Sequence, residues 1–328
     1  MAKVIGLGNA LIDIMTPLEN DEILEQIKFP RGSMQLVDAE KSNEILKLTA
    51  HLKSSIASGG SAANTIHGIA RLGIETAFVG KVGQDDFGKI FKEDLEKSNI
   101  TPSLFYTQTE TGRAVAMVSP DSERTFGTYL GAAVELSAND ITEEVFKGYQ
   151  LLHIEGYLVF NEELIEKAVK TAKECGLLVS LDLASFNVVE AKLDFLKRMA
   201  KDYVDIVFAN EEEARAFTGQ EDPEKALRQI AESVDLSIVK IGKEGSLIMQ
   251  NNEITTVGVI EAKPIDTTGA GDYYASGFIY GHLEGLNHKQ SGQIGALLAG
   301  KVIEEMGAQI DAKTWEFILS EVKKIKKA

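Results

Sequence analysis

The second half of the 328-residue chain alternates short apolar runs with helical stretches, and this alternation constrains the fold more than any other feature. The runs are Leu151–Glu155, Leu177–Asp182, Ile206–Ala209 and Ser237–Lys240. Amphipathic stretches lie between them, among them Asn161–Glu174 and Glu211–Phe217. Successive strands joined through helices pair in parallel, and a parallel sheet has to be covered by helices on both faces. Nearer the N terminus, Lys3–Leu7 and Thr76–Val82 read as buried strands of the same kind. No internal repeat, low-complexity tract or Ser/Pro-rich linker interrupts the chain. One α/β domain is therefore expected over residues 1–328.

The second constraint is Pro264-Ile265-Asp266-Thr267-Thr268-Gly269-Ala270-Gly271-Asp272. Ala275, Phe278 and Ile279 recur at helical spacing after it, which predicts a helix over Tyr273–Leu283. Asp272 then falls in the first turn, just behind Gly-Ala-Gly. Free N–H groups at a helix start point toward an anion, and glycine lets a phosphate come close to the backbone. The helix dipole favours an ionised carboxylate at the same end. An anion cradle beside a base suits phosphoryl transfer to an alcohol, where positioning and charge stabilisation do most of the work.

The string D-T-T-G-A-G-D closely resembles the signature of the ribokinase-like (pfkB) carbohydrate kinases, a family that includes adenosine kinases. The resemblance implies a three-layer α/β/α fold with a mostly parallel central sheet and a small β-sheet lid. Residues roughly 14–38 and 103–130 would supply the lid. The family role for Asp272 is the catalytic base, and for Gly269, Ala270 and Gly271 the anion hole; Thr267 falls on the nucleotide side. ATP and Mg²⁺ are the implied cofactors.

Other motifs follow in family order. Gly6-x-Gly8 opens like a dinucleotide fingerprint, but Leu11 stands where its third glycine belongs, which argues against a nicotinamide site. Asn9 and Asp13, expected just beyond the strand end, suit vicinal hydroxyls, because a carboxylate accepts two O–H bonds. Adenosine kinases carry a similar G-x-G-N-x-L-x-D. Gly59-Gly60-Ser61-Ala62-Ala63-Asn64 precedes a predicted helix to Leu72 closed by Gly73. It resembles the family's G-G-x-x-x-N, which implies sugar-hydroxyl contacts from Gly60, Ser61 and Asn64. Ser61 stands where ribokinases proper have lysine, as in adenosine kinases. Gly83–Ile90 nearly matches a P-loop, but Ile90 replaces the required Ser/Thr and Asp85 and Asp86 would repel phosphate; it reads as a structural turn.

Ser33–Val37 and Ala114–Val118 alternate like strands, the latter leading into a turn at Pro120–Glu123. Gln35 resembles a lid glutamine facing the acceptor, and an ordinary exposed strand residue explains it equally well. Arg124 matches a lid arginine that reaches the transferring phosphoryl group, or it is a surface charge. Tyr157 and Phe186 match positions whose rings lie against a base, though both also suit a core. Asn210 and Glu213 fit N-x-x-E, near Mg²⁺ and the phosphates, with Glu213 reaching the metal through water; an N-cap and acidic first turn account for the same residues. Lys240, Gly242 and Gly245 resemble the V-T-x-G-x-x-G nucleotide turn, with Lys240 in place of threonine. A helix over Gly295–Ala308 is expected to pack on the adenine side.

Carboxylates outnumber Lys plus Arg by 50 to 34, a net charge of −16, which excludes nucleic acid or an anionic membrane as the main partner. A small anion can still bind through backbone donors. Cys175 is the only cysteine, so no disulfide framework is expected and a cytoplasmic location is. No apolar run is long enough to span a membrane, and the N-terminal residues run straight into a strand with no signal-peptide pattern. The five histidines show no metal-ligand spacing. These features point to a nucleoside kinase that phosphorylates a primary hydroxyl, working as a monomer or homodimer. Thr268 departs from the D-T-N-G-A-G-D of many adenosine kinases, which keeps a sugar kinase for ribose, fructose or a keto-deoxy sugar acid as the alternative. A catalytically silent nucleoside-binding protein is a third reading.

Overall fold

The structure, a computed structural model, describes residues 2–121 and 123–328. Ser122, in the turn expected at Pro120–Glu123, lies outside the described residues. Fourteen strands are described: β1 Lys3–Leu7, β2 Leu11–Pro17, β3 Met34–Leu36, β4 Ser55–Gly59, β5 Glu75–Gly83, β6 Ile100–Thr107, β7 Gly112–Val118, β8 Arg124–Tyr129, β9 Leu151–Glu155, β10 Leu178–Asp182, β11 Ile206–Asn210, β12 Leu236–Lys240, β13 Ser246–Gln250 and β14 Glu253–Val257. Nine form a sheet in the order β14-β13-β12-β11-β10-β9-β1-β5-β6. It is parallel from β12 to β6, and only β13 and β14 run antiparallel.

Helices cover both faces of this sheet, as a parallel sheet requires. On β11, Ile206 and Phe208 pack into one apolar layer with Ile66, Phe278 and Leu298, while Val207 and Ala209 pack into the other with Ile165, Leu196 and Leu227. This is the three-layer α/β/α arrangement. Each buried strand is apolar on both sides, so each reads in the sequence as a continuous run rather than an alternation.

The second sheet has five strands in the order β3-β8-β7-β2-β4. Its membership differs from the expected segments at two places. Residues 103–107 belong to β6, which pairs along its whole length with β5 at the edge of the large sheet. In their place β4 joins the small sheet through β2, with Asp13 opposite Ala57. The small sheet is thus assembled from three separate stretches of chain. Its pairing is non-local, and strand propensity alone does not choose the partner. Asp13 sits within β2, not in a loop beyond a strand.

Most helix boundaries follow local signals. The helix Ser61–Arg71 is closed by Gly73 at φ +99°. Asp85 caps the helix Asp86–Lys97 by accepting from Gly88 N–H at 2.8 Å, which makes the P-loop-like turn a cap, as expected. The helix after the glycine turn spans Ala270–Leu283, three residues longer at its N terminus than its apolar spacing suggests. The helix expected over Gly295–Ala308 runs instead from His288 to Val302. Asn287 supplies its capping box, and the chain then turns so that Gly307 N–H reaches Asp266.

Candidate active site

A cleft of about 2180 Å³ lies between the large sheet, at the carboxyl ends of its parallel strands, and the small sheet. Open α/β sheets place ligands at that end of the strands. The helix Ala270–Leu283 points its N terminus into the cleft, with Gly269 as its cap at φ +77°. Ala270 N–H donates back to Thr267 O at 3.2 Å. That closes the turn and leaves Gly271 and Asp272 with the outward N–H groups every helix start carries. Ala270 therefore closes the turn, and its neighbours carry the outward donors.

Asp272 is held on both oxygens. Oδ1 accepts from Ser61 Oγ at 2.6 Å and Oδ2 from Asn64 Nδ2 at 2.9 Å. Both donors sit in the first turn of the helix Ser61–Arg71, so the starts of two helices converge on one carboxylate. Burial raises its pKa to about 6; the two side-chain hydrogen bonds and the Lys240 charge pull it down, and Asp182 pushes it up. It remains ionised at neutral pH yet close enough to accept a proton. Ser61 and Asn64, expected to touch sugar hydroxyls, are thus engaged with Asp272.

Gly60 takes φ +103°, and a side chain there would run into the carbonyl of Asn9. Any Cβ at Gly59 would run into the carboxyl of Asp13. Asp13 lines the cleft, has no hydrogen-bond donor among the described residues, and is raised to about 7 by burial and then by the Asp272 charge. An unpartnered carboxylate aimed into a cleft calls for O–H donors from a ligand. Asn9 gives both its backbone N–H and one Nδ2 hydrogen to Glu155 Oε1, at 3.0 and 2.6 Å, so its side-chain oxygen and the second Nδ2 hydrogen remain for a ligand.

The other expected residues separate. Tyr157 lines the cleft, 38% exposed, and its hydroxyl donates to Ala184 O at 3.3 Å. Phe186 does not reach the cleft. It opens a short helix whose Ser185, Asn187 and Val188 face inward, and Phe160, 59% exposed, supplies a second cleft aromatic. Gln35 also misses it: its amide donates to Ser33 Oγ at 3.0 Å while Met34 and Leu36 line the cleft. Strand side chains alternate, so one residue of register reverses which side faces in. Arg124 crosses from β8 to the turn before the helix Ala270–Leu283, ion-pairing with Asp266 and donating to Thr268 Oγ1 at 3.1 Å.

At the end of β11, Asn210 and Glu213 form a reciprocal capping box. Glu213 Oε2 accepts from Asn210 N–H at 2.8 Å and Oε1 from its Nδ2 at 2.6 Å. Burial and then Asp182 raise Glu213 to about 7. Gly242 and Gly245, at φ +54° and +104°, form the turn after β12 and line the cleft with Thr267. Lys240 is not in that turn. It closes β12 and pairs with Asp182 at 3.0 Å in the middle of the acidic cluster.

Two residues were missed in the sequence. Glu155 accepts from Asn9 and from Ala62 N–H at 2.9 Å, binding the first loop to the helix Ser61–Arg71; burial raises it to about 7 despite those bonds. Asp182 anchors Lys240. Both are acidic residues that end an apolar run at the carboxyl end of a parallel strand, and that is the signal that could have marked them.

A buried carboxylate between two helix starts, beside outward backbone donors, is an arrangement that suits phosphoryl transfer to a hydroxyl group. The description pfkB family carbohydrate kinase matches residues 34–315, and the chain belongs to that family. Its fold is similar to the adenosine kinase of Sinorhizobium meliloti, with a TM-score of 0.87, 32% identity, and coverage of 98% of this chain and 99% of that one. An uncharacterized sugar kinase of Archaeoglobus fulgidus is 30% identical over 74% of this chain and 96% of its own. The nucleoside kinase of Methanocaldococcus jannaschii is 28% identical over 99% of this chain and 98% of its own. Among the described residues no helix is long and apolar enough to cross a membrane.

Proposed function

We propose that the protein is an ATP-dependent kinase that phosphorylates the primary hydroxyl of a nucleoside, adenosine being the acceptor to test first. The observation that carries this is the apolar wall of the acceptor end of the cleft. Beyond the polar floor of Asp13 and Asn64 stand Met34, Leu36, Tyr157 and Phe160, at 59%, 69%, 38% and 59% exposure, together with Leu11 and Phe126. A flat purine covers such surface and stacks on the aromatic rings. A free sugar leaves it wet. A sugar acid needs a cation for its carboxylate, and of the cleft cations Arg124, Lys192 and Lys240 are already paired with Asp266, Glu162 and Asp182. Lys243, which has no ion pair among the described residues, lies in the turn Gly242–Glu244 rather than on β2 with Asp13.

In this reading Asp13 accepts from the ribose hydroxyls and directs the 5′-hydroxyl to Asp272, which takes its proton. The N–H groups of Gly271 and Asp272 hold the transferring phosphoryl group. The nucleotide lies along Gly242, Gly245 and the helix His288–Val302. Among the described residues no group of three His, Cys, Asp or Glu could hold a metal directly. Each Glu213 oxygen keeps a free lone pair, so these residues suit a hydrated Mg²⁺ that arrives on the nucleotide. Bound there, Mg²⁺ would neutralise phosphate charge.

The test is a panel of adenosine, 2′-deoxyadenosine, ribose and fructose with ATP. Loss of one ribose hydroxyl leaves Asp13 short of a donor to a charged oxygen, about 2–4 kcal/mol or roughly 30–1,000-fold in kcat/KM against the deoxynucleoside. Ribose or fructose outperforming adenosine would overturn the nucleoside reading in favour of a sugar kinase.

A further inference from the structure

Lys240 is a buried cation at the centre of the site, and the reading above gives it no chemical task. Its Nζ pairs with Asp182 Oδ2 at 3.0 Å, and Asp182 is itself pinned, its Oδ1 accepting from Ala184 N–H at 2.9 Å. The same Nζ would lie 3.0 Å from a Cβ placed on Gly271, so it stands beside the turn at the start of the helix Ala270–Leu283. A phosphate oxygen bound by the Gly271 N–H would come within hydrogen-bond reach of Nζ. The ammonium carries three N–H donors and Asp182 takes one, so contact with phosphate needs no release from Asp182. Burial works to lower the Lys240 pKa, but Asp182, Glu213 and Asp272 outweigh it and hold it above the usual lysine value. The group stays cationic through the reaction.

We propose that Lys240 is a catalytic residue: its ammonium touches the terminal phosphoryl group of the bound nucleoside triphosphate and stays on it during transfer, and Asp182 is the residue that positions it. In the transfer the acceptor oxygen loses its proton to Asp272 and forms the new O–P bond. The bond from phosphorus to the bridging oxygen breaks, and the diphosphate leaves with that electron pair. Lys240 gives up no proton; it offsets charge on the phosphoryl oxygens. This rests on the kinase reading of the cleft but not on the choice of acceptor.

Calorimetric titration with β,γ-methylene-ATP and with ADP, no acceptor present, tests it. Losing a charge-assisted bond to the terminal phosphate should weaken the triphosphate analogue about tenfold or more in Lys240→Met, with ADP changed less than about threefold. Lys240→Arg should keep the triphosphate within about fivefold of wild type, since it preserves the cation. Asp182→Asn should give an intermediate loss for the triphosphate and again spare ADP, a split that a purely structural role would not produce. Lys240→Met leaves Asp182 buried without its cation, so the double variant Asp182→Asn/Lys240→Met is read alongside it as a charge-balanced control of folding. The same selective loss is expected there. Equal changes for the two nucleotides, in the single variant or in a folded double variant, overturn the proposal and leave Lys240 as a counter-ion for Asp182. A wrong acceptor assignment would change neither result.

Discussion

Ser61→Ala should move the acid limb of the chemical step without removing the base. Asp272 must be ionised to accept a proton, and its pKa of about 6 balances burial against hydrogen bonds from Ser61 and Asn64. The Ser61 bond, 2.6 Å to Oδ1, exists in full only while the carboxylate is charged. A hydrogen bond to a charged group contributes about 1.5–3 kcal/mol, against about 1.4 kcal/mol per pKa unit. Water refilling the gap and the surviving Asn64 bond hold the shift to the lower end, roughly one unit upward. At pH 6 a carboxylate moved from about 6 to about 7 goes from about half to about a tenth ionised, a roughly fivefold loss, while at pH 8.5 it is nearly unchanged. Single-turnover rates at saturating ATP and acceptor read the step directly, apart from product release. A loss of equal size at every pH, or a limb that moves to lower pH, would refute the picture of Ser61 stabilising the ionised base.

Three other outcomes are expected. Asp272→Asn should bind ATP and acceptor nearly as wild type but turn over about 10²–10⁴-fold more slowly, and a single-turnover rate within threefold of wild type would remove it as the base. Asp13→Asn should weaken the acceptor yet stabilise the ligand-free protein. The Asp13 pKa is raised to about 7 on folding, so ionising it costs stability that is present at low pH and lost as pH rises through about 7. With water in the cleft screening part of that cost, the gain is about 1–2 kcal/mol, or about 1.5–3 °C in the Tm at pH 8 and less at pH 5; equal shifts at both pH values count against it. Arg124→Ala strips a cation from buried Asp266 and should cost about 2 kcal/mol. Hydrogen exchange in β3 and β8 should also speed up if this pair fastens the small sheet to the catalytic turn, and unchanged exchange there would show that it does not.

By itself the sequence determined what depends on residues near one another in the chain. Buried parallel strands announce themselves as apolar runs, helix starts through caps such as Asn210 and Asp85, and Asp272 as a first-turn residue through the glycine turn and apolar spacing around it. Local hydrogen bonds and side-chain periodicity settle those features within a turn or two. Tertiary structure decided everything that joins distant stretches. Ser61 and Asn64 reach Asp272 across 211 and 208 residues, Lys240 reaches Asp182 across 58, and Asn9 reaches Glu155 across 146. No local periodicity encodes which polar side chain will meet which partner. That choice falls to sheet order and helix packing, which bring the ends of β1, β9, β10 and β12 to one rim. The small sheet makes the same point: β4 was recruited and β6 lost by non-local pairing, and a strand's period of two turned Gln35 out of the cleft and Met34 and Leu36 into it. Phe186 was misplaced for the analogous reason on a helix, where a neighbour about 100° around faces the cleft instead.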